Sequence, residues 1–180
     1  MNAVNETGFV NPIDQAITRA GKVRGLDASA YEKLDEIPHD FIRKCLSVLV
    51  RPRQTQGLEI RKTDHTCQHL LVTKGAIYNV LDACSQVETA PAAVSDLDAS
   101  HLEKIESVFK QMSLKGFRVR GISYRYFDSA KRNISKEDEN DDIFLGFLVL
   151  WDPIKDDALQ LLQLWKIWAY HSRWLAVTTG

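Results

Sequence analysis

The stretch Leu70-Leu71-Val72-Thr73-Lys74-Gly75-Ala76 constrains this chain more than any other. A short apolar run of this kind reads as a buried strand, and here a lysine and a glycine close it. The strand delivers a cation to its end. The glycine leaves room there for a phosphate or a base to approach closely. Cys45 to Val50 is likewise apolar and β-branched, so it pairs with His69 to Thr73 as a neighbouring strand of one sheet. The polar stretch Arg51 to Thr66 between them is expected to be a loop or a wide hairpin.

Composition limits the classes of function. At 180 residues and 44% hydrophobic, the chain can bury a core as one domain. The 23 basic and 24 acidic residues are spread along it and leave a net charge of -1. That balance supplies no basic face and argues against a nucleic-acid partner. Cys45, Cys67 and Cys84 form no CxxC pair and read as reduced thiols. Met1 to Gly8 has neither the basic nor the apolar region of a signal peptide. No apolar run reaches the roughly 18 residues of a membrane helix. No direct membrane contact is expected of these residues.

Along the chain, Pro12 opens an apolar-periodic segment (Ile13, Ala16, Ile17, Ala20) that predicts a helix closing near Gly21. A second short helix is expected from Ala28 to Leu34. Ile77, Val80 and Leu81 repeat at helical spacing. Thr89 to Asp96, rich in Ala with one Pro, reads as a surface loop. Leu102, Ile105, Val108, Phe109 and Met112 mark an amphipathic helix closed by Gly116. Phe117 to Tyr126 is a predicted strand, and Asp128 to Asp142 a charged, solvated loop. Ile143 to Leu150 reads as a central strand. Asp152-Pro153 breaks it, and a helix restarts over Asp156 to Leu164. Helices separate strands in mixed order, so the expected class is α+β, with an antiparallel or mixed sheet flanked by helices.

An ATP site on such a scaffold needs a slot for adenine, cations for the phosphates and a polar group for the exocyclic amine. Lys44 and Lys74 can supply charge, and Arg118 a forked donor. His39 and Phe41 offer flat rings for stacking. Asp14, just inside a helix start, can accept from an amine. Each has a plainer reading. A lysine at a strand end is usually solvated, and an aspartate at a helix N-terminus is favoured by the helix dipole alone.

Taken in order, five segments resemble the nucleotide-binding domain of P-type cation pumps, most closely the magnesium-transporting branch. They are Asn11-Pro12-Ile13-Asp14, Ile37 to Val48, Val72-Thr73-Lys74-Gly75-Ala76, Gly116 to Val119, and Trp151-Asp152-Pro153. Asp35-Glu36-Ile37-Pro38 and Cys84-Ser85-Gln86-Val87 carry the finer likeness to the magnesium branch. The resemblance implies the fold of that domain over residues 1-150. A hinge with the start of a phosphorylation-domain helix then follows over 151-164. It implies ATP, as Mg-ATP, held by Asp14, His39, Phe41, Lys44, Lys74, Gly75 and Arg118, with Asp152 and Pro153 as the hinge. It also implies the remaining domains of a cation pump as partners and a cytoplasmic location on a membrane-bound parent. The chain departs from the family pattern at three places. His39 stands where the family stacks a phenylalanine, although Phe41 lies on the same strand face if the segment is extended. Cys45 takes a position that is commonly polar or basic, and Ile154 replaces a second hinge proline.

The family's Asp-Lys-Thr-Gly-Thr and Thr-Gly-Asp motifs do not occur in these residues. Asp141-Asp142 and Asp156-Asp157 read as solvated charge rather than replacements. No catalytic residue and no protein-bound metal are therefore expected, and turnover of ATP is not expected of these residues alone. A phosphatase of the dehalogenase type fails for want of the same nucleophile motif. Residues 165-180, crowded with Trp165, Trp168 and Trp174, do not resemble the family. Read one base out of register from the last base of the Trp168 codon, they permit LGISLKVVSGDNR. That string resembles the missing second motif, so the tail is read as a frameshift product and Met1 as an internal start. Two readings stand: an ATP-binding domain of a magnesium pump, or a vestigial or interaction protein of the same fold that no longer binds nucleotide.

Overall fold

A computed structural model describes residues 12–53 and 69–151. The chain divides into two units, Met1–Leu150 and Trp151–Gly180. Asn2, Asn11, Cys67, most of the 51–66 connection, the hinge pair Asp152 and Pro153, the expected helix Asp156 to Leu164 and the 165-180 tail lie outside the described residues.

Apolar alternation in the middle of the sequence builds the sheet. Strand β2 (Cys45–Pro52) is buried on both faces over its first six residues. Leu46, Val48 and Val50 point one way, and Cys45, Ser47 and Leu49 the other. Strand β3 (His69–Gly75) lies antiparallel to β2, with Cys45 opposite Gly75 and Val50 opposite Leu70. This is the pairing that the two apolar runs predict. Among the described residues seven strands form one sheet, in the order β1 (Tyr31–Ile37), β2, β3, β6 (Arg118–Phe127), β7 (Asp142–Leu150), β4 (Cys84–Ala90) and β5 (Ala93–Asp96). All neighbours are antiparallel except β4 with β7. The fold is therefore α+β with a mixed sheet flanked by helices, as the sequence predicts.

Helix α1 (Pro12–Val23) begins at Pro12, whose missing amide costs nothing in a first turn. Helix α2 (Ile77–Asp82) lies over β6 (Arg118–Phe127). A Cβ on Gly121 would meet Ile77 Cδ1 and Val80 Cβ, each at 3.1 Å, so glycine is what lets the helix approach. Helix α3 (Ala99–Leu114) has an Asp98 N-cap that accepts from the His101 amide, and Gly116 ends it at φ 80°. Only Ile105 of its apolar stripe is fully buried. One core cluster, Cys45, Ile77, Val80, Val87, Ile105 and Phe144, lies between these two helices and the sheet. A smaller one, Leu46, Val48 and Val50 with Tyr31 and Leu70, lies on the opposite face. Each fully buried aliphatic side chain in these clusters contributes about 1.5–3 kcal/mol toward holding the sheet. Among the described residues no helix is long and apolar enough to cross a membrane.

Four expectations are corrected. Residues 31–37 form strand β1 (Tyr31–Ile37), not a helix. A bulge between Lys33 and Asp35 adds a residue, so the apolar positions Tyr31, Leu34 and Ile37 fall at a helix-like spacing of three. The 89–96 stretch is a hairpin. β4 runs to Ala90, Ala92 turns at φ 64°, and the exposed strand β5 (Ala93–Asp96) returns. The 128–142 connection is not freely solvated. It carries a 3₁₀ turn (Lys136–Asp138), its Ile134 amide donates to Asp35 Oδ2 at 2.8 Å, and Glu139 is turned inward. Asp142 is fully buried, where the sequence reads as solvated charge.

Candidate functional site

The register gathers the site at one end of three strands. Cys45 opens β2, Gly75 closes β3 opposite it, and Gly121 of β6 lies opposite Gly75. Arg118 lies three residues before Gly121, so β6 projects past the end of β3 there. The turn carrying His39, Phe41 and Lys44 precedes Cys45 at the same end. Sheet pairing thus sets Lys44, Lys74, Gly75 and Arg118, from distant parts of the sequence, at one end of the sheet.

Lys74 shares its face of β3 with Leu70 and Val72. Asp14, in the first turn of α1, is the buried residue of that helix, and Lys74 Nζ meets its Oδ1 at 2.5 Å. Only 12% of the Lys74 side chain and 6% of the Asp14 side chain are exposed, so water screens the pair little. Asp14 Oδ2 is buried and has no hydrogen-bond partner among the described residues. A carboxylate oxygen in that state costs free energy until a donor reaches it. The plainer expectations for these two residues, a solvated lysine and a dipole-favoured aspartate, do not hold.

Gly75 has a structural reason to be glycine. A Cβ there would meet Cys45 Sγ at 2.4 Å and the Lys44 carbonyl oxygen at 2.7 Å. Strand β2 already fills the space that the sequence reading left for a ligand. Lys44 is exposed with φ 54°, and its carbonyl accepts from the Ala76 amide at 3.0 Å. Arg118 is exposed at the start of β6. His39 and Phe41 do not share a strand face, because residues 38–44 form a turn rather than an extended segment. Their rings meet edge to face at 5.9 Å, and Phe41 is 92% exposed.

Sequence reasoning missed the polar residues behind this turn. Arg43 Nη1 donates to Glu139, and Arg43 Nε donates to Asp40 Oδ2 at 2.7 Å. Ser47 Oγ donates to Glu139 Oε1 at 2.5 Å and stands 2.9 Å from Thr73 Oγ1. A cleft of about 260 Å³ opens beside Arg43, Cys45, Thr73, Asp82, Lys136 and Glu139. Farther along the same face, Ser123 Oγ donates to Asp142 Oδ2 at 2.6 Å. Burial pushes the Asp142 carboxyl up to about 6, against the pull of Ser123, Arg125 and Thr73. Arg43 is visible in the sequence as one of a basic pair. Nothing distinguishes Glu139 from the charged residues around it.

The family described as P-type ATPase, cytoplasmic domain N, matches residues 5–157. The magnesium-transporting ATPase, P-type 1, of Escherichia coli (strain K12) is 32% identical over 169 residues, covering 92% of this chain and 17% of that protein. The protein of the same name in Salmonella typhimurium (strain LT2) is 28% identical over 173 residues, with coverages of 92% and 17%. An endoplasmic reticulum transmembrane helix translocase of Schizosaccharomyces pombe is 31% identical over 84 residues, which cover 43% of this chain and 7% of that protein. The chain therefore spans about a sixth of the length of its magnesium-transporting relatives. With most of its length matched, the chain belongs to the P-type ATPase cytoplasmic N-domain family.

Proposed function

We propose that this chain binds ATP, as Mg-ATP, at the shared end of β2, β3 and β6, as the nucleotide-binding domain of a magnesium-transporting P-type pump. The observation that carries this reading is the buried Asp14–Lys74 pair with its unpartnered Asp14 oxygen. Asp14 would accept from the adenine amine, and His39 or Phe41 would stack on the ring. Lys44, Lys74, Gly75 and Arg118 would hold the ring edge and the phosphates. Bound ATP supplies a transferable phosphoryl group and brings the magnesium with it. The chain's own residues bind and orient the nucleotide. The acceptor aspartate and the transported ion belong to the remaining domains of a pump, to which Asp152 and Pro153 would form the hinge.

A second reading is favoured by specific observations. His39 is an exposed imidazole, a weaker stacking surface than phenylalanine, and Lys74 is already neutralised by Asp14. On that reading the chain keeps the fold and has lost the nucleotide. Calorimetric titration with Mg-ATP separates the two, alongside Lys44→Ala, because Lys44 is exposed and its loss leaves no buried charge behind. Saturable binding that weakens several-fold in the variant supports the first reading. Absence of binding up to about millimolar Mg-ATP, about -4 kcal/mol, leaves the second.

A further inference from the structure

The turn at 38–44 presents two apolar side chains with almost nothing packed on them: Phe41 is 92% exposed and Ile42 is 90% exposed. Apolar burial cannot be what holds this turn in place. Lys44 also sits at φ 54°, a left-handed conformation that a lysine adopts only when its surroundings impose it. The restraint comes from behind. Asp40 Oδ1 accepts from the amides of Ile42 at 2.9 Å and Arg43 at 2.6 Å, and the Asp40 carbonyl accepts from the Lys44 amide at 2.9 Å. The Arg43 guanidinium then spans the turn. It donates to Asp40 Oδ2 at one side and to the Pro38 carbonyl at 2.8 Å on the other.

That guanidinium is fixed in turn by Glu139, 96 residues away in sequence. The side chains of Arg43 and Glu139 are 17% and 8% exposed, so their attraction is far less screened than that of a surface pair. Glu139 is seated by Ser47 of β2, which donates to the carboxylate from within the buried sheet. We propose that Glu139 is a positioning residue for nucleotide binding. Through Arg43 it locks the 38–44 turn so that a stacking ring and Lys44 stand ready at the strand ends. Ordering several exposed side chains only when ligand arrives would otherwise be subtracted from affinity. The role rests on the nucleotide-binding reading above.

The test is Mg-ATP titration of the whole chain and of Glu139→Ala and Glu139→Gln, with amide hydrogen exchange read on the same samples. Glu139→Ala is expected to weaken binding about tenfold. It should speed exchange at the amides of Ile42, Arg43 and Lys44 while leaving those of β3 protected. Glu139→Gln keeps an acceptor for Arg43 and Ser47 and should recover most of the affinity. An unchanged Kd in Glu139→Ala despite faster exchange at 42–44 overturns the positioning role. Unchanged exchange there overturns the lock itself. Should the alanine variant also lose β3 protection, Arg43→Gln decides by the same two readouts. If the parent chain binds no Mg-ATP, the nucleotide reading fails and this role with it. If the parent binds and Glu139→Ala matches it, only the positioning role fails.

Discussion

Thr73 and Lys74 are adjacent in β3 and face opposite sides of the sheet, and the polar groups gathered on the two sides differ in kind. On the Lys74 side an ion pair with Asp14 lies on the face that Leu46, Val48 and Val50 share, with one Asp14 carboxylate oxygen without a partner among the described residues. On the Thr73 side a chain of groups runs from Asp40 through Arg43, Glu139 and Ser47 to Thr73, and both Glu139 oxygens accept. Acceptance at both Glu139 oxygens marks that chain of groups as a fixture of the fold, while Asp142 Oδ1, farther along the same side, is buried without a partner among the described residues. On the Lys74 side the open oxygen belongs to a carboxylate already paired with a cation, the arrangement in which a further donor could be accepted.

The largest effect that tests this contrast is the loss of one partner from the Asp14 pair. Lys74→Ala strands a carboxylate that is only 6% exposed, and should cost about 3–5 kcal/mol in urea unfolding. The double variant Asp14→Asn, Lys74→Met removes both charges and should cost clearly less than Lys74→Ala alone. Equal costs would mean that the pair contributes through packing and that its charge is incidental. For the same reason Lys74→Ala is a poor probe of ligand binding, since lost affinity and lost fold would arrive together.

Asp142 gives the next largest effect, on the Thr73 side. Its folded-state value is about 6 against the usual 3.8. The native state therefore holds a proton that the unfolded chain releases between those values. Stability from this group falls as pH rises from about 4 to about 6 and then stays flat. Roughly two units correspond to about 3 kcal/mol at most. Asp40 and Asp98 are shifted the other way, chiefly by backbone hydrogen bonds to their carboxylates, and Asp138 is lowered against its burial by hydrogen bonds from Lys131 and Ser135. The stabilisation from all three is lost as pH falls. The measurement is thus the difference between the parent chain and Asp142→Asn, which should be greatest above pH 6 and vanish near pH 4. A difference independent of pH would show that folding leaves the Asp142 carboxyl unshifted.

The two sides also differ in how much of them the sequence discloses. The Lys74 side is readable because its parts are local: an apolar run with a terminal lysine, and a proline opening a helix that carries Asp14. The family resemblance then joins them. The pairing of β2 with β3 follows from two apolar runs of matching length. The Thr73 side is largely hidden. Glu139 sits in a charged run where composition predicts solvent, and only the fold brings it under Arg43. A bulge disguises β1 as a helix. Gly75 is a further lesson, because the sequence offers its missing side chain to a ligand while the structure gives that space to Cys45.

Gly75→Ala follows in size. Its Cβ would press on Cys45 Sγ at 2.4 Å and a backbone oxygen at 2.7 Å, and such overpacking should cost about 1–3 kcal/mol. Gly121→Ala meets only side-chain atoms, at 3.1 Å and beyond, and should cost less. Reversal of that order in thermal melts would mean that the β2–β3 edge yields more easily than the α2 contact. It would also restore Gly75 as a position with room for ligand.

The smallest effect distinguishes the two sides without unfolding anything. Burial, with help from the Glu139 charge and against that of Arg43, pushes the Cys45 thiol up to about 11 from the usual 9.0. Two units reduce its thiolate fraction about a hundredfold near neutral pH, and alkylation should slow accordingly. Cys84 is pushed up to about 12, mainly by burial, and its Sγ donates to the Val80 carbonyl at 3.0 Å, so it serves as an internal control. Cys45 lines the cleft together with Arg43 and Glu139. Glu139→Ala removes a negative charge that raises this thiol and opens the cleft beside it. Cys45 labelling should therefore accelerate several-fold, while Cys84 labelling should not change. Asp14→Asn, on the other face, should leave both rates as they were. Equal acceleration of Cys45 by the two variants would show that the faces are coupled through β3, and the division between an open site and a closed fixture would not survive.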